Sequence, residues 1–215
     1  MQPMERLKAL RDALPGEIVF TTRFGVADQA ITHMIATADL DIAIVTIDTG
    51  RLFPQTYDVW AETEARYGLR VRPFFPDPDA LEMVVMEHGV NGFYRSVAAR
   101  RACCEVRRRD PLSLALVEAV AWVSGPPGHS GSQTKSPSFV NLDHGYKLVK
   151  MNPLFDWTRA QALAFATDNR IPVNDLHAQG FIAMGCAPCT RAIDPKAPEG
   201  PCHWWWEGEA GPSRN

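Results

Sequence analysis

The chain has 215 residues, of which 46% are hydrophobic and 22% are charged, and this composition predicts one globular domain over residues 1–215 with a full apolar core. The net charge of −3 does not favour a nucleic-acid partner, and no apolar run is long enough to cross a membrane. The amino-terminal residues lack the apolar segment of a secretory signal, so we expect a cytoplasmic location.

Strand and helix patterns alternate along the chain and predict an α/β protein with a mainly parallel sheet. The apolar run at 41–47 is typical of a strand that is buried on both faces of such a sheet. A loop rich in Gly, Pro and Ser is predicted at 124–138, and the chain after Pro172 has little periodicity. The predicted strands are 18–20, 41–47, 69–72, 119–123 and 146–149. The predicted helices are 3–14, 31–38, one between Arg51 and Tyr67, 78–88, 112–118 and one that begins near Trp157 with Thr158 as N-cap.

Polar residues follow the first two predicted strands. TTRFGVAD, at 21–28, lies between a strand and a helix, where hydroxyls, a glycine and free backbone amides can bind an anion. After the next strand, Gly50 permits close backbone approach and Arg51 offers a planar fork to phosphate or sulfate. The first loop matches neither the dinucleotide-binding nor the P-loop pattern. Two such loops in succession favour a nucleotide site over the alternatives, which are an ordinary turn, a helix cap by Asp48 and a surface arginine.

Five cysteines form two close pairs and one single position. Thiols stay reduced in the cytoplasm, so we do not expect a disulfide framework. Two pairs that the fold brings together can supply four thiolates to a metal site, although a C-x-x-C alone is also typical of a redox dithiol. Three arginines follow the first pair in RACCEVRRRDPL, and their charge favours thiolates and attracts anions. The pairs are Cys103 with Cys104 and Cys186 with Cys189, and the single cysteine is Cys202.

Several segments resemble, in the same order, those of the assimilatory sulfonucleotide reductases. They extend from about residue 18 to 207 and read TTRFGVADQAITHM, IVTIDTGRLFPQTY, CCEVRRRDPL, KMNPLFDWT, IPVNDLHAQGFIAMGCAPCTRAI and WWWE. The cysteine pairs make the chain most similar to the reductases of adenosine 5′-phosphosulfate (APS), with reductases of 3′-phosphoadenosine 5′-phosphosulfate (PAPS) as the alternative. The resemblance implies a Rossmann-like parallel sheet flanked by helices, of the adenine nucleotide alpha-hydrolase type, with a less regular C-terminal part that carries an Fe–S cluster.

The resemblance also implies a reaction and a site. The reaction is reduction of APS to sulfite and AMP, with thioredoxin or a glutaredoxin-like protein as thiol donor. Assembly into a homo-oligomer is an open alternative to a monomer. A [4Fe–4S] cluster is implied on Cys103, Cys104, Cys186 and Cys189, with zinc on the same thiolates as the alternative. The implied substrate contacts are Thr22, Phe24, Gly25, Asp28, Asp48, Thr49, Gly50, Arg51, Arg107, Arg108 and Lys150, whereas His177 and the WWWE tryptophans have structural roles by default.

Two segments depart from the family pattern. The family mechanism uses a C-terminal cysteine in E-C-G-L-H, whose thiolate attacks the sulfur of APS before thioredoxin releases sulfite. Here the residues after Trp206 read EGEAGPSRN, and Cys202 precedes WWWE, so the resemblance assigns no catalytic residue and predicts binding of APS without turnover. After Gly125, GPPGHSGSQTK replaces the family's G-L-R-x-x-Q, a change that a pair of compensating frame errors would explain. Arg23 stands where relatives usually have serine.

Two functions of other classes remain as alternatives. A non-catalytic Fe–S protein that binds nucleotides, such as a redox sensor, is favoured by the missing C-terminal cysteine and by the altered loop after Gly125. An ATP-pyrophosphatase-type enzyme would adenylate a substrate on a related fold. It is disfavoured because TTRFGVAD lacks the S-G-G-x-D-S pattern that this chemistry uses.

Overall fold

A computed structural model describes residues 1–125, 139–193 and 202–207 and contains a six-stranded sheet in the order β3-β2-β1-β4-β6-β5. Neighbouring strands are parallel except for β5 and β6, which form an antiparallel pair at one edge. The prediction of an α/β protein with a mainly parallel sheet is therefore confirmed. The strands are β1 (Glu17–Thr22), β2 (Ala43–Ile47), β3 (Arg72–Phe74), β4 (Ala119–Ser124), β5 (Val140–Asp143) and β6 (Leu148–Met151).

Seven α-helices of the described residues surround or flank the sheet, and none of them is long and apolar enough to cross a membrane. They are α1 (Pro3–Ala13), α2 (Val26–Thr37), α3 (Pro54–Tyr67), α4 (Pro78–His88), α5 (Val97–Cys104), α6 (Asp110–Leu116) and α7 (Arg159–Asp168). A π-helical turn, Glu105–Arg109, joins α5 directly to α6. Short 3-10 turns lie at Gly92–Tyr94, Asp175–Gln179, Ala187–Cys189 and Trp205–Glu207.

Apolar side chains cover both faces of the sheet because successive residues of a strand point to opposite sides. In β1, Ile18 and Phe20 pack with residues of α1, α2 and α3 in the larger core cluster. Val19, between them, belongs to a second cluster with Val45 of β2 and Leu116 of α6. This two-sided burial explains the nearly continuous apolar runs that the sequence places in the central strands.

The observed elements differ from the predicted ones in several bounds and in two elements that were not predicted. The strand predicted at 146–149 is β6, Leu148–Met151, and the helix predicted at 31–38 is α2, which begins at Val26. The strand predicted at 69–72 is wrong in its bounds, because Val71 is buried without strand pairing and the pairing with β2 begins at Arg72. Helix α5 was not predicted, since its eight residues, VAARRACC, contain no large apolar residue besides Val97. Ser96 caps it by accepting a hydrogen bond from the Ala99 amide at 3.1 Å. Strand β5 was also missed, and the loop predicted at 124–138 lies outside the described residues beyond Gly125.

Candidate active site: a nucleotide cradle beside four cysteines

The loop between β1 and α2 is shaped by two of its own side chains. The Thr22 hydroxyl accepts a hydrogen bond from the Phe24 amide at 3.0 Å, and the Asp28 carboxylate accepts one from the Arg23 amide at 2.9 Å. Phe24 has a positive φ of 58°, so the chain turns sharply just before Gly25 begins the helix. Asp28 is only 5% exposed, and burial raises the pKa of its carboxyl group against the opposing charge of Arg23. The hydrogen bond between Asp28 and the Arg23 amide thus holds the loop that a phosphate would contact.

The loop after β2 has a similar internal support. Oδ1 of Asp48 accepts hydrogen bonds from the Gly50 amide and from the Tyr57 hydroxyl, both at 2.8 Å. Gly50 has a φ of 68°, a backbone conformation that residues with a Cβ atom adopt only at a cost in free energy. Burial and the hydrogen bond to Asp48 raise the pKa of Tyr57 to about 12, so the phenol stays protonated and keeps donating at neutral pH. Tyr57 was not predicted as a site residue, although it is the last residue of the family-like segment IVTIDTGRLFPQTY.

These two loops are neighbours at one edge of the sheet. β1 and β2 are adjacent parallel strands, and the Thr46 hydroxyl donates to the backbone carbonyl of Thr22 at 3.0 Å. Parallel α/β sheets bind ligands outside the carboxyl ends of their strands. The predicted nucleotide loops therefore meet where such a site is expected, and we refer to residues 22–28 and 48–51 as the nucleotide cradle.

The four predicted ligand cysteines line one cavity, although the pairs are far apart in the sequence. Cys103 and Cys104 end helix α5, whereas Cys186 and Cys189 flank a short 3-10 turn. All four are free thiols, and the cavity spans about 550 Å³, part of which is open solvent. The other residues that line it are Arg51, Phe93, Arg100, Arg107, Arg108, Gly185, Pro188, His203 and Trp204.

The nucleotide cradle and the cysteine cavity share a wall. The Ala187 amide, between the cysteines of the second pair, donates to the Arg51 carbonyl at 2.8 Å. The Cys186 thiol lies 3.3 Å from the Thr49 hydroxyl. From the segment after the first pair, buried Arg107 donates through Nη1 to the Thr49 carbonyl at 2.6 Å. Both cysteine-bearing segments are thus attached to the loop that follows β2.

The charge balance of the cavity fits an anionic, thiolate-bound group. Burial raises the pKa values of Cys103 and Cys104, and it raises that of Cys189 to about 12, with the charges of neighbouring thiolates adding to the effect. Bound iron or zinc would offset that repulsion, and the arginines of the cavity would offset a net negative cluster. Within the described residues, no three His, Cys, Asp or Glu side chains are grouped closely enough to be assigned to a metal ion as they stand. A metal cluster on the four cysteines therefore remains a prediction.

The two predicted substrate contacts with long basic side chains outside the π-helical turn, Arg51 and Lys150, also have partners within the protein. Arg51 lines the cysteine cavity, but its guanidinium donates to the Val90 carbonyl at 2.6 Å and to the Asn91 side chain at 3.2 Å. Lys150 lies with Nζ 3.6 Å from the centre of the Trp122 ring and 3.7 Å from an Asp143 oxygen. Burial lowers the pKa of Lys150 against the charge of Asp143, and nearby Arg23 lowers it further.

His177 and Cys202 have structural surroundings. Nδ1 of His177 donates to the Phe181 carbonyl at 2.7 Å, and burial lowers the pKa of the ring. Cys202 is 2% exposed, and its carbonyl accepts a hydrogen bond from the Arg191 amide at 3.0 Å. Neither residue is part of the cavity wall that the described residues form. This burial argues against a role of Cys202 as a nucleophile, since a nucleophilic cysteine needs an accessible, activating setting.

Comparison of the sequence with known proteins points to one family. Residues 17–192 match the phosphoadenosine phosphosulfate reductase domain family. The adenosine 5′-phosphosulfate reductase of Agrobacterium fabrum is 46% identical over 197 residues, which cover 91% of this chain and 75% of that protein. The enzyme of the same name from Allochromatium vinosum is 41% identical over 190 residues, covering 88% of this chain and 74% of the relative.

Solved structures support the fold. A phosphoadenylyl-sulfate reductase from Candida auris, solved as a phosphate complex, superposes with a TM-score of 0.73 at 24% identity and covers 89% of this chain and 91% of its own. An FMN adenylyltransferase from Candida glabrata has a TM-score of 0.55 at 17% identity, with 98% of this chain and 74% of its own covered. The family itself follows from the sequence: because the family model matches residues 17–192, more than half of the chain, the chain belongs to the phosphoadenosine phosphosulfate reductase domain family.

Proposed function

We propose that this protein reduces APS to sulfite and AMP in assimilatory sulfate reduction, with thioredoxin or a glutaredoxin-like dithiol as electron donor. The observation that carries the proposal is the shared wall between the nucleotide cradle and the four-cysteine cavity, in which both cysteine segments bond to residues 49–51. Relatives that are 36–46% identical bear the name adenosine 5′-phosphosulfate reductase, which agrees with APS as the substrate.

The nucleotide cradle would hold the AMP part of the substrate. The amino-terminal amides of α2 follow Gly25 and are suited to a phosphate, because the first amides of a helix lack backbone acceptors. The sulfate would then extend over the shared wall towards Arg107 and Arg108, two cations that line the cysteine cavity. The side chain of Asp28 maintains the loop from inside rather than meeting the anion, since its oxygen already accepts from the Arg23 amide.

A [4Fe–4S] cluster would be held by Cys103, Cys104, Cys186 and Cys189. When bound, it supplies a redox-capable iron–sulfur group beside the substrate's sulfate. The protein's own part is to bring the two cysteine pairs together through Thr49 and Ala187, and to place arginine charge next to the thiolates. Zinc on the same thiolates is the competing assignment, which the iron, sulfide and zinc contents of anaerobically purified protein would separate.

The proposed reaction needs a thiol nucleophile and a second thiol. A thiolate attacks the sulfur of APS, the S–O bond breaks, and AMP leaves with the electron pair of that bond. A donor thiol then attacks the cysteine sulfur of the resulting S-sulfocysteine, so sulfite leaves with an electron pair and a disulfide forms. The ligand cysteines cannot serve as the nucleophile while they bind metal, and Cys202 is buried.

The burial of Cys202 also favours a second candidate function. In it the protein binds APS beside a metal cluster but releases no sulfite, as a nucleotide-binding redox protein would. The two candidates share the nucleotide cradle and the cysteine cavity and differ in turnover alone. A binding measurement by itself therefore cannot separate them.

The deciding experiment combines binding and turnover in anaerobically purified protein. APS binding is measured by calorimetry, and sulfite is measured after addition of APS, thioredoxin and a reductant. Sulfite release supports the first candidate, and binding without sulfite supports the second. The absence of APS binding contradicts both. PAPS in parallel reactions tests the substrate, and a Cys202→Ser variant tests the buried thiol: sulfite that disappears in this variant would make Cys202 the nucleophile.

A further inference from the structure

A buried ion pair joins the helix of the first cysteine pair to the C-terminal segment. Nε of Arg100 and Oε1 of Glu207 are 2.5 Å apart, and the two side chains are 5% and 4% exposed. Arg100 lies on α5, three residues before Cys103, and Glu207 ends the last described segment. Removing one partner of such a pair leaves the other charge buried and uncompensated, which is strongly unfavourable.

The same segment, residues 202–207, is also attached to the second cysteine pair. Thr190 forms a β-bridge with His203, and the Trp204 amide donates to the Cys189 carbonyl at 3.4 Å. The guanidinium of Arg100 lies 4.3 Å from the centre of the Trp204 ring. Residues 202–207, which we call the C-terminal strap, therefore contact Cys189 of the second pair and Arg100 on the helix of the first pair, and His203 and Trp204 of the strap line the cysteine cavity.

The ion pair does not use its full hydrogen-bonding capacity. Nη2 of Arg100 and Oε2 of Glu207 are both buried, and neither atom has a hydrogen-bond partner among the described residues. Arg100 itself lines the cysteine cavity. A buried guanidinium that keeps a free donor at the wall of a thiol cavity is suited to meet an anionic group inside it, because buried donors are rarely left unpaired in folded proteins.

We propose that Glu207 is a positioning residue. It holds Arg100 at the cavity wall and closes the C-terminal strap over the four cysteines, which limits the access of solvent and oxidants to them. The role of this closure in protecting a cluster rests on the proposed function, whereas the closure itself concerns the protein alone. Arg100 completes the closure from α5, since its guanidinium contacts Glu207 and Trp204 at the same time.

The test measures thiol access in reduced, metal-free protein without nucleotide. The variant Glu207→Gln keeps the volume of the side chain and removes its charge, and Glu17→Gln is the matched control because Glu17 pairs with Arg72 at 3.0 Å in a partly exposed site. Labelling of the cavity cysteines by iodoacetamide should be roughly tenfold faster in Glu207→Gln and unchanged in the control, since local opening sets the access of buried groups. Equal labelling in Glu207→Gln and the unaltered protein would overturn the proposal.

Low concentrations of urea separate strap opening from general destabilisation. Opening of the strap predicts a labelling rate that stays constant over the first additions of urea, because little surface is exposed. A rate that rises steeply from the first addition points to global unfolding and contradicts the positioning role. If Glu207→Gln does not fold, Glu207→Asp replaces it. Its shorter side chain keeps the charge and should raise labelling roughly threefold, and an unchanged rate would again overturn the proposal.

A second readout concerns the metal-loaded protein. Anaerobically purified Glu207→Gln should lose its visible absorbance in air roughly tenfold faster than the unaltered protein and the Glu17→Gln control. Equal rates of loss would contradict the protective role. Failure of the proposed function has a different signature, which is absence of APS binding or of sulfite. The labelling results do not depend on either quantity.

Discussion

The carboxylate of Asp28 lies directly against Gly125, and a methyl group added at Gly125 would be 2.1 Å from Oδ1 of Asp28. Asp28 stands in the first turn of α2, and Gly125 follows the last residue of β4. The contact therefore joins the loop after β1 to the end of β4. Any side chain at residue 125 would displace the carboxylate that holds the Arg23 amide.

We expect Gly125→Ala to disturb the nucleotide cradle. Overpacking of a tight contact costs about 1–3 kcal/mol of folding free energy, and displacement of Asp28 should weaken AMP binding as well. Gly25→Ala is the control for stability, since a methyl group there would lie 3.7 Å from Oδ2 of Asp28, an ordinary contact distance. Urea unfolding compares the two variants, and calorimetric AMP titration compares Gly125→Ala with the unaltered protein. A Gly125→Ala variant with unaltered stability and AMP affinity would show that the contact has no consequence.

Asp48 should matter for binding through the shape of its loop. Asp48→Ala removes the acceptor of two hydrogen bonds, from the Gly50 amide and the Tyr57 hydroxyl, so we expect AMP affinity to fall by roughly tenfold, or about 1.4 kcal/mol. Asp48→Asn retains an acceptor oxygen and should stay within about threefold of the unaltered protein. Tyr57→Phe loses one of the two bonds and should fall between them. Isothermal titration with AMP measures all three, and an Asp48→Asn affinity as low as that of Asp48→Ala would assign the effect to charge instead.

Metal content should distinguish the cavity cysteines from Cys202. Replacement of any one of Cys103, Cys104, Cys186 or Cys189 by serine should remove most of the iron and sulfide from anaerobically purified protein. Cys202→Ser should leave both unchanged, because Cys202 is buried outside the cavity wall. Elemental analysis and circular dichroism are the measurements, the second to establish that each variant is folded. Iron loss in Cys202→Ser with intact folding would contradict the assigned ligand set.

The pair between Arg6 and Asp156 should make stability depend on pH. Arg6 donates to both oxygens of Asp156, at 2.6 and 2.5 Å, and these hydrogen bonds hold the pKa of Asp156 below its usual range. Because the pKa of Asp156 is lower in the folded state than in the unfolded state, the ion pair stabilises the fold at pH values above the unfolded pKa of about 3.9. This stabilisation is lost as the pH falls through the pKa of the folded state. Because Asp156 is 43% exposed, we expect Asp156→Asn to lower the free energy of unfolding by only about 1 kcal/mol at pH 7.

The difference should begin to shrink as the pH falls below about 4, because the unfolded carboxyl then binds a proton, and it should vanish once the pH has passed the lower pKa of the folded state. Asp41→Asn is the control, since Asp41 is almost fully exposed and lies 3.4 Å from Arg11. Its effect should stay below about 0.5 kcal/mol at every pH. Urea unfolding at a series of pH values measures both variants, and a pH-independent difference for Asp156→Asn would contradict the assigned cause.

Much of the fold could be read from local patterns. The buried runs of β1 and β2 and the loops after them follow from composition and periodicity, since a strand covered on both faces must be apolar along its length. Elements without such an apolar run were not predicted. Apart from Val97, helix α5 consists of alanine, arginine and cysteine, because it brings Arg100 and two cysteines to a cavity. Strand β5 pairs at an edge of the sheet, where exposed residues suffice.

The sequence by itself determined the family resemblance, the α/β class, the nucleotide loops and the two cysteine pairs, because each of these is encoded in residues close together along the chain. Tertiary structure decided which distant groups meet. The ion pair of Arg100 and Glu207, the contact of Asp28 with Gly125 and the burial of Cys202 all join or enclose residues that no local pattern relates. Packing and desolvation fix such contacts, and they act between residues only after the chain has folded.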